Sequence, residues 1–245
     1  MKGVILAGGL GSRLLPMTKV TNKHLLPVYD KPMIFYPIQC LVNAGLTDIM
    51  LVTGGNFAGD FLQLLGNGKD FGLKELHYTY QEGGNAGIAD ALRLAEDFAE
   101  GERIVVMLGD NIIENNVQRA VAEYSQQEEG AKVILKEVPD PQRFGVPQIE
   151  GDRIVNIEEK PHDPKSNFAV IGIYMYDTTV FDFIKEQKPS DRGELEITDV
   201  NNAYIKNSSL KYEVLQGWWT DAGTIESLYR ATQLVADTGA NNMGR

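Results

Sequence analysis

Over 245 residues, 34 aspartates and glutamates outnumber 23 lysines and arginines, and the resulting net charge of −11 argues against nucleic acid as a partner. Hydrophobic residues form 43% of the chain, enough for one large α/β core, and no apolar run has the length that a bilayer requires, so we expect no membrane partner. The single cysteine, Cys40, lies among apolar residues, which predicts a reduced, cytoplasmic protein with this thiol in its core.

The first half of the chain alternates short apolar runs with segments of helical periodicity. This pattern predicts strands at 4–7, 48–53, 76–80 and 104–108, and helices at 32–44, 60–65 and 89–98. Pro32 suits the first position of its helix, and Gly45 suits the position just past the helix end. The alternation indicates βαβ units around a mostly parallel sheet.

The pattern changes after Gly130. It predicts strands at 132–138, 153–157, 168–176 and 211–215, and helices at 197–206 and 224–235. Prolines are expected in the connections, at Pro139, Pro141, Pro147, Pro161 and Pro164. This half should add mixed or antiparallel strands, and the polar tail from 239 to 245 is expected to fray.

A glycine-rich turn follows the first predicted strand. It consists of Gly8, Gly9, Leu10, Gly11, Ser12 and Arg13, and the backbone N–H groups of such a turn can approach a phosphate closely. A dinucleotide-binding fingerprint would need a glycine in place of Leu14, and a Walker loop would need Gly-Lys-Ser/Thr, so neither motif fits. Taken alone, the turn is equally consistent with a tight structural connection.

A much longer pattern surrounds this turn. Residues 6–18 are followed by 22–27 and 29–36, which places the cations Arg13 and Lys23 just after the glycines. The stretch closely resembles the signature of the sugar nucleotidyltransferases, in the version typical of glucose-1-phosphate thymidylyltransferases. The resemblance covers nearly the whole chain, because it continues at Gln81 and over 87–91, 108–111, 143–146, 158–161, 172–177, 192–199 and 219–223.

The resemblance implies an α/β fold with a Rossmann-like, mixed but mostly parallel sheet flanked by helices. It implies a single domain over 1–245, with a mainly nucleotide-binding half (1–130), a mainly sugar-binding half (131–222) and a C-terminal helix and tail (223–245). The implied reaction converts dTTP and glucose 1-phosphate into dTDP-glucose and pyrophosphate with Mg²⁺ as the cofactor, as the first step of dTDP-deoxysugar (dTDP-rhamnose) synthesis. We also expect a homo-oligomer.

Two aspartates are expected to hold the metal ion. Asp110 follows the strand 104–108 and should therefore lie at the carboxyl edge of the sheet, and the resemblance places Asp221 opposite it. Two carboxylates that face a triphosphate suit Mg²⁺, although either one alone would more often be a turn or helix cap. The resemblance assigns nucleotide binding to Gly8, Gly9, Gly11, Ser12, Arg13, Gln81, Gly87 and Asp110.

A second group of residues is expected to bind the sugar phosphate. Glu159 offers an acceptor for sugar hydroxyls beside the cation of Lys160, although this pair alone would be interpreted as a solvated turn. The resemblance adds six residues, some of which would otherwise be assigned to core packing: Phe144, Gly145, Val170, Gly172, Tyr174 and Trp219.

The same resemblance gives chemical roles to several polar side chains. Arg13, Lys23 and Lys160 are the expected catalytic cations, since phosphate is already nucleophilic and needs charge neutralisation rather than a nucleophilic side chain. Gln81 is expected to contact the pyrimidine through its amide, the alternative being a surface polar residue. The histidines His24, His77 and His162 show no metal-ligand spacing, so we expect them to be structural or exposed.

Two other functions stay open at this point. One is a nucleotidyltransferase for UTP or another sugar 1-phosphate, because a thymine methyl contributes only ~1–3 kcal/mol of discrimination. The other is a sensor of nucleotide sugars without turnover. Two departures from the family are also expected to matter: the 81–87 loop is one residue longer, and longer members extend several dozen residues past the last helix, where part of their regulatory site lies.

Overall fold

The computed structural model describes residues 1–83 and 86–243. Its strands are β1 (Lys2–Ala7), β2 (Pro27–Val28), β3 (Lys31–Pro32), β4 (Asp48–Gly54), β5 (Glu75–Gln81), β6 (Ile104–Leu108), β7 (Asn111–Ile113), β8 (Ala131–Glu137), β9 (Gly145–Glu150), β10 (Arg153–Glu159), β11 (Phe168–Tyr176), β12 (Leu210–Val214) and β13 (Trp219–Asp221). Its helices are α1 (Phe35–Asn43), α2 (Ala58–Leu65), α3 (Ile88–Arg93), α4 (Glu96–Ala99), α5 (Gln118–Ser125), α6 (Thr179–Glu186), α7 (Ile197–Lys206) and α8 (Ile225–Thr238).

The central sheet has the order β10-β9-β11-β6-β1-β4-β5, with β8 paired to both β11 and β12. β1 pairs in parallel with β4 and β6, and β4 pairs in parallel with β5, whereas β11 runs antiparallel to β6. The expected mixed α/β sheet, mostly parallel in its first half, is confirmed. The carboxyl ends of β1, β4, β5 and β6 therefore meet at one edge, where α/β folds bind ligands.

Side chains alternate between two buried faces of this sheet. Along β1, Val4 and Leu6 pack into one hydrophobic cluster and Ile5 and Ala7 into the other, and all four are buried. Such burial on both faces is typical of parallel strands covered by helices. Cys40 is fully buried in the second cluster, which confirms its expected place in the core. Across the two described ranges, no helix has both the length and the apolar character needed to cross a bilayer.

The helix expected from Pro32 begins three residues later. Pro32 belongs instead to the short hairpin of β2 and β3, where it pairs with Pro27. The backbone N–H of Met33 donates to the carbonyl of Leu26, and that of Ile34 donates to the carbonyl of His24. Lys31 and Pro32 are held extended by their pairing with β2, so the helix starts only at Phe35. Its end agrees with the prediction, since Gly45 follows it with φ of 88°.

Two further predictions fail locally. The helix expected over 89–98 is divided into α3 and α4, because the N–H groups of Leu94 and Ala95 bond three residues back and tighten the turn between them. Pro147 lies within β9 rather than in a connection. Proline has no backbone N–H to donate to a neighbouring strand. It is tolerated in β9 because β9 pairs with β11 at Gly145 alone, so most of the edge of β9 that faces β11 requires no such donor.

Several elements carry no clear sequence signal, namely β7, β9, β13, α5 and α6. The tail also differs from its expected fraying as far as residue 243. Asn241 is buried, its N–H donates to the carbonyl of Ile113 (3.0 Å), and its side-chain amide donates to the carbonyl of Tyr36 (2.8 Å). Gly244 and Arg245 lie outside the described residues, as do Gly84 and Asn85 in the loop expected to be longer than in the family.

Candidate active site

A cleft of about 670 Å³ opens at the carboxyl edge of the parallel strands. It brings together most of the residues expected from the sequence: Gly8, Gly9, Arg13, Lys23, Gln81, Gly87, Asp110, Phe144, Gly145, Glu159, Lys160, Val170, Gly172, Tyr174, Trp219 and Asp221. Gly11 and Ser12 lie further along the turn and do not line it. Residues far apart in the chain thus share one cavity, such as Gly8 and Asp221, which are 213 positions apart.

The glycine turn leaves β1 with almost no room for side chains. A Cβ on Gly8 would lie 2.6 Å from the Gln81 Oε1, and a Cβ on Gly9 would lie 3.1 Å from the Lys23 side chain. Gly11 has φ of 67°, and its carbonyl accepts a hydrogen bond from the Thr18 hydroxyl at 2.8 Å. The absence of side chains at Gly8 and Gly9 lets the backbone face the cleft directly, as phosphate binding requires.

Asp110 is paired with a lysine at the floor of the cleft. The Lys23 ammonium donates to Asp110 Oδ2 at 2.6 Å, the Asn111 amide donates to Asp110 Oδ1 at 3.0 Å, and both members of the ion pair are mostly buried. Burial by itself raises the pKa of Asp110, but the Lys23 charge and these hydrogen bonds outweigh it and hold the pKa well below its usual range. The carboxylate is therefore ionised throughout the neutral range.

Asp221 is brought opposite Asp110 by the two-stranded ribbon of β7 and β13. Asp221 is in register with Asn111, and the N–H of Ala222 donates to the Asp110 carbonyl at 2.8 Å. The ion pair of Asp221 is longer than that of Asp110: an Arg143 nitrogen lies 3.5 Å from its Oδ2, and its buried Oδ1 accepts no hydrogen bond from the described residues. Burial first, and the Asp110 charge second, raise the pKa of Asp221.

The two aspartates fit a divalent cation on three counts. One buried carboxylate oxygen lacks a partner, both carboxylates face the same cavity, and Gly223 leaves space between them. A Cβ on Gly223 would lie 3.5 Å from Asp221 Oδ2, 3.6 Å from Asp110 Oδ2 and 3.2 Å from the Arg13 guanidinium. Hard oxygen ligands beside a cation-lined turn are the donor set that Mg²⁺ takes together with phosphate oxygens.

His24 and Asn111 complete the floor, although the sequence assigned neither to the cleft. His24 is buried, its Nδ1 is 2.8 Å from the Asn22 Oδ1, and burial followed by the Lys23 charge lowers the pKa of His24 to about 3, so its ring is neutral. Asn111 uses its Oδ1 to accept from the Gly172 N–H (3.0 Å) and the Trp219 indole (2.7 Å). Asn111 thus joins Asp110 at the floor of the cleft to Gly172 and Trp219 through one side-chain amide.

The opposite wall carries the Glu159–Lys160 pair. Glu159 Oε2 accepts from the Thr198 hydroxyl at 2.6 Å, and its Oε1 lies 3.5 Å from the Lys160 ammonium and 3.7 Å from Arg192. Lys160 adopts φ of 48°, which turns the chain out of β10. Arg192 and Thr198 stand in the 192–199 motif without an assigned role, and only this tertiary contact shows that they support Glu159.

An aromatic pair closes the end of the cleft. The rings of Phe144 and Trp219 meet edge to face with centroids 5.2 Å apart, and the Arg143 guanidinium lies 5.1 Å from the Phe144 ring. Tyr174 and Val170 are almost fully buried beneath this wall. This end of the cleft combines apolar ring faces with polar rims, which suits a sugar ring.

Gly87 docks against the loop before α7. Its φ is 102°, and a Cβ there would collide with the backbone of Leu195, 2.7 Å from its nitrogen. The Leu195 N–H donates to the Ala86 carbonyl at 2.8 Å, and the Ala89 N–H donates to the Leu195 carbonyl at 3.2 Å. The start of α3 is therefore held directly on a segment of the second half of the chain.

We expect Gly87→Ala to destabilise the fold by roughly 2–4 kcal/mol, since backbone strain and a backbone collision add. Urea unfolding followed by circular dichroism measures this change. Gly101→Ala is the matched control, because Gly101 also has positive φ (76°) but open space around the missing side chain, so its cost is about 1 kcal/mol. Equal losses in the two variants would contradict the docking role of Gly87.

His77 belongs to an acidic group outside the cleft. Its Nε2 lies 3.3 Å from Asp48 and 3.1 Å from Glu75, at the amino ends of β4 and β5. These are the ends opposite to those that open into the cleft, and His77 and Glu75 are exposed to solvent. We assign this group no part in the cleft.

Comparisons with known proteins agree with this geometry. The model of the nucleotidyl transferase family matches residues 2–238. A glucose-1-phosphate thymidylyltransferase from Neisseria meningitidis is 44% identical over 239 residues, which cover 96% of this chain and 82% of the relative.

Solved structures show the same architecture. A crystal structure from Bacillus anthracis, provisionally assigned as a glucose-1-phosphate thymidylyltransferase and bound to a sucrose, has a TM-score of 0.93, 53% identity, and covers 100% of this chain and 98% of its own. A UDP-glucose pyrophosphorylase in complex with UDP-glucose has a TM-score of 0.85 at 25% identity, over 96% of this chain and 98% of its own. The chain therefore belongs to the nucleotidyl transferase family, and within it to the group of the glucose-1-phosphate thymidylyltransferases.

Proposed function

We propose that the protein transfers a thymidylyl group from dTTP to glucose 1-phosphate, which yields dTDP-glucose and pyrophosphate. The observation that supports this most strongly is one cleft that contains both halves of such a reaction. Gly8, Gly9 and Arg13 of the glycine-rich turn line one side. Glu159 and Lys160 line the other, and the two aspartates lie between them. The N. meningitidis relative is named for the same activity.

Mg²⁺ is the cofactor that we propose for this site. Asp110 and Asp221 would hold it, because their carboxylates face the same space beside Gly223 and one oxygen of Asp221 is unpartnered. When bound there, the ion would act as a Lewis acid that offsets the negative charge of the triphosphate.

The side chains of the protein then have a positioning and neutralising task. The backbone at Gly8 and Gly9 would cradle the triphosphate, with Arg13 beside it. A phosphate oxygen of glucose 1-phosphate attacks the α-phosphorus of dTTP, a P–O bond forms there, and the bond to pyrophosphate breaks. The attacking phosphate is already an anion, so no general base is required and the charges of Lys23 and Lys160 lower the repulsion between the two substrates.

Sugar recognition is proposed for the wall around Glu159. Its carboxylate is fixed by Thr198 and would accept from sugar hydroxyls, while Trp219 and Phe144 would pack against the ring. The contributions of the two halves also follow: residues 1–130 supply the turn, Gln81 and Asp110, and residues 131–222 supply the sugar wall and Asp221. The segment 223–245 supplies Gly223 and α8.

A uridylyltransferase is the second candidate, because the UDP-glucose pyrophosphorylase shares the fold at 25% identity. The deciding experiment measures pyrophosphate release with Mg²⁺ over a matrix of dTTP, UTP, dCTP and ATP against glucose, galactose and glucosamine 1-phosphates. We expect the highest kcat/KM for dTTP with glucose 1-phosphate. A higher value for UTP would support the second candidate. If no pair of substrates were turned over, the result would favour a sensor of nucleotide sugars without turnover.

A further inference from the structure

The side-chain amide of Gln81 is held by two acceptors. Gln81 is the last residue of β5 and is only 4% exposed. Its Nε2 donates to the Asp90 Oδ2 at 2.9 Å and to the Gly87 carbonyl at 3.2 Å. The oxygen and nitrogen of an amide are otherwise easily exchanged, but a carboxylate and a carbonyl can only accept, so the NH₂ group must be the one that faces them.

The opposite end of the amide faces the cleft. Gln81 lines the cavity, and its Oε1 lies beside Gly8, where an added Cβ would be only 2.6 Å away. Among the residues that the structure describes, Oε1 accepts no hydrogen bond. Both N–H groups of the amide are used within the protein, so Gln81 offers a ligand one acceptor and no donor.

The position of Asp90 is itself determined by a second residue. Its Oδ1 accepts from the Arg93 guanidinium at 2.9 Å, one turn further along α3, while its Oδ2 accepts from Gln81. Asp90 stands in the first turn of α3, where the helix dipole favours a carboxylate, and its side chain is 16% exposed. The chain of contacts from Arg93 through Asp90 to Gln81 therefore leaves the amide one orientation.

We propose that Asp90 is a positioning residue that makes Gln81 an acceptor-only contact for the nucleotide base. Such a contact selects a base with a hydrogen on the ring nitrogen that faces it. Thymine and uracil carry N3–H and match, whereas the N3 of cytosine is an acceptor and would meet the Gln81 oxygen without a hydrogen between them. The inference rests on the proposed function, since it concerns the base of the triphosphate in that same site.

The test compares Asp90→Leu with Asp90→Asn. Leucine has a similar shape but no acceptor, whereas asparagine keeps one acceptor oxygen, for which the Gln81 amide and the Arg93 guanidinium then compete. The measurement is the ratio of kcat/KM for dTTP to that for dCTP, each with glucose 1-phosphate. We expect Asp90→Leu to lower this ratio roughly tenfold, the effect of about one net hydrogen bond, and Asp90→Asn, which keeps one acceptor for two donors, to lower it less than Asp90→Leu does.

Two controls separate positioning from charge and from folding. Asp97→Asn removes an exposed carboxylate from the neighbouring α4 and should leave the ratio unchanged. Arg93→Leu keeps the Asp90 carboxylate but removes its anchor, and should lower the ratio about two- to threefold even if Asp90→Leu does not fold. A merely structural role would lower turnover with both nucleotides alike and leave their ratio intact.

Calorimetric titration with dTDP and dCDP provides a readout that needs no turnover. We expect the same preference for dTDP in the wild type and the same loss in Asp90→Leu. An unchanged ratio in folded Asp90→Leu, or a wild type that binds dTDP and dCDP equally, would overturn the inference. A wild type without dTTP turnover that still prefers dTDP would instead contradict the proposed function and leave the role of Asp90 standing.

Discussion

Asp110→Asn and Asp221→Asn are each expected to lower kcat by about 10³-fold or more at saturating Mg²⁺, yet to change stability in opposite directions. The loss of turnover follows because a neutral amide binds Mg²⁺ poorly. Without the bound ion, the negative charge of the triphosphate is no longer offset. Pyrophosphate release measures the first effect. Thermal and urea unfolding of the metal-free proteins measure the second.

The opposite stability changes follow from the opposite pKa shifts. The pKa of Asp110 is lowered in the folded state, so its ionised form stabilises the fold at every pH above the pKa of an unfolded aspartate, and this contribution is complete at pH 7. Asp110→Asn leaves Lys23 without its counter-ion and should cost roughly 1–3 kcal/mol, less than a fully buried pair because the cleft is open to water.

Asp221 has the reverse sign. Its pKa is raised, so keeping it ionised at pH 7 costs free energy in the folded state, and this cost disappears as the pH falls below the pKa of an unfolded aspartate. Asp221→Asn should therefore leave the Tm of the metal-free protein equal or higher while turnover is lost. Asp97→Asn is the control for both readouts. Near-normal kcat in either aspartate variant would remove that residue from the metal site, and a clear drop in Tm for Asp221→Asn would contradict the strain assigned to its charge.

Arg13→Ala and Lys160→Ala are each expected to reduce kcat/KM by about 10²–10³-fold, as the loss of one group that stabilises transition-state charge does in other enzymes. The two variants should differ in their substrates. Arg13 lies at the end of the glycine-rich turn and near Gly223, so its loss should raise KM mainly for dTTP. Lys160 lies beside Glu159, so its loss should raise KM mainly for glucose 1-phosphate.

Steady-state kinetics with each substrate varied in turn checks this split. Arg153→Ala and Lys165→Ala are matched controls, since both are exposed cations whose ion-pair partners among the described residues are exposed aspartates outside the cleft. These controls should retain wild-type kinetics within about twofold. A loss below tenfold in Arg13→Ala or Lys160→Ala would favour the alternative of a solvated, non-catalytic charge.

The strands of the parallel half were predictable because each is a short local run rich in apolar residues, largely buried in β1, β4 and β6 and half-buried in the edge strand β5. This reasoning located β1, β4, β5 and β6 within one or two residues, and with them the edge at which Gly8, Gln81 and Asp110 appear. The short ribbon of β7 and β13 was not predictable in this way. Its three-residue strands pair positions about 110 residues apart, and so short a segment has no periodicity to detect.

The sequence by itself determined the alternating α/β order and the glycine-rich turn. Through its resemblance to a family, it also determined the types of residue in the cleft. Only the tertiary structure decided how these groups differ. Asp110 and Asp221 look alike in the sequence, but the Lys23 ammonium lies 2.6 Å from the first, whereas the ion pair of the second with Arg143 is 3.5 Å long. The amide of Gln81 could face a base either way until Asp90 and Gly87 occupy its nitrogen. Charge states and hydrogen-bond directions depend on neighbours that meet across the fold, so they are determined by packing and not by local sequence.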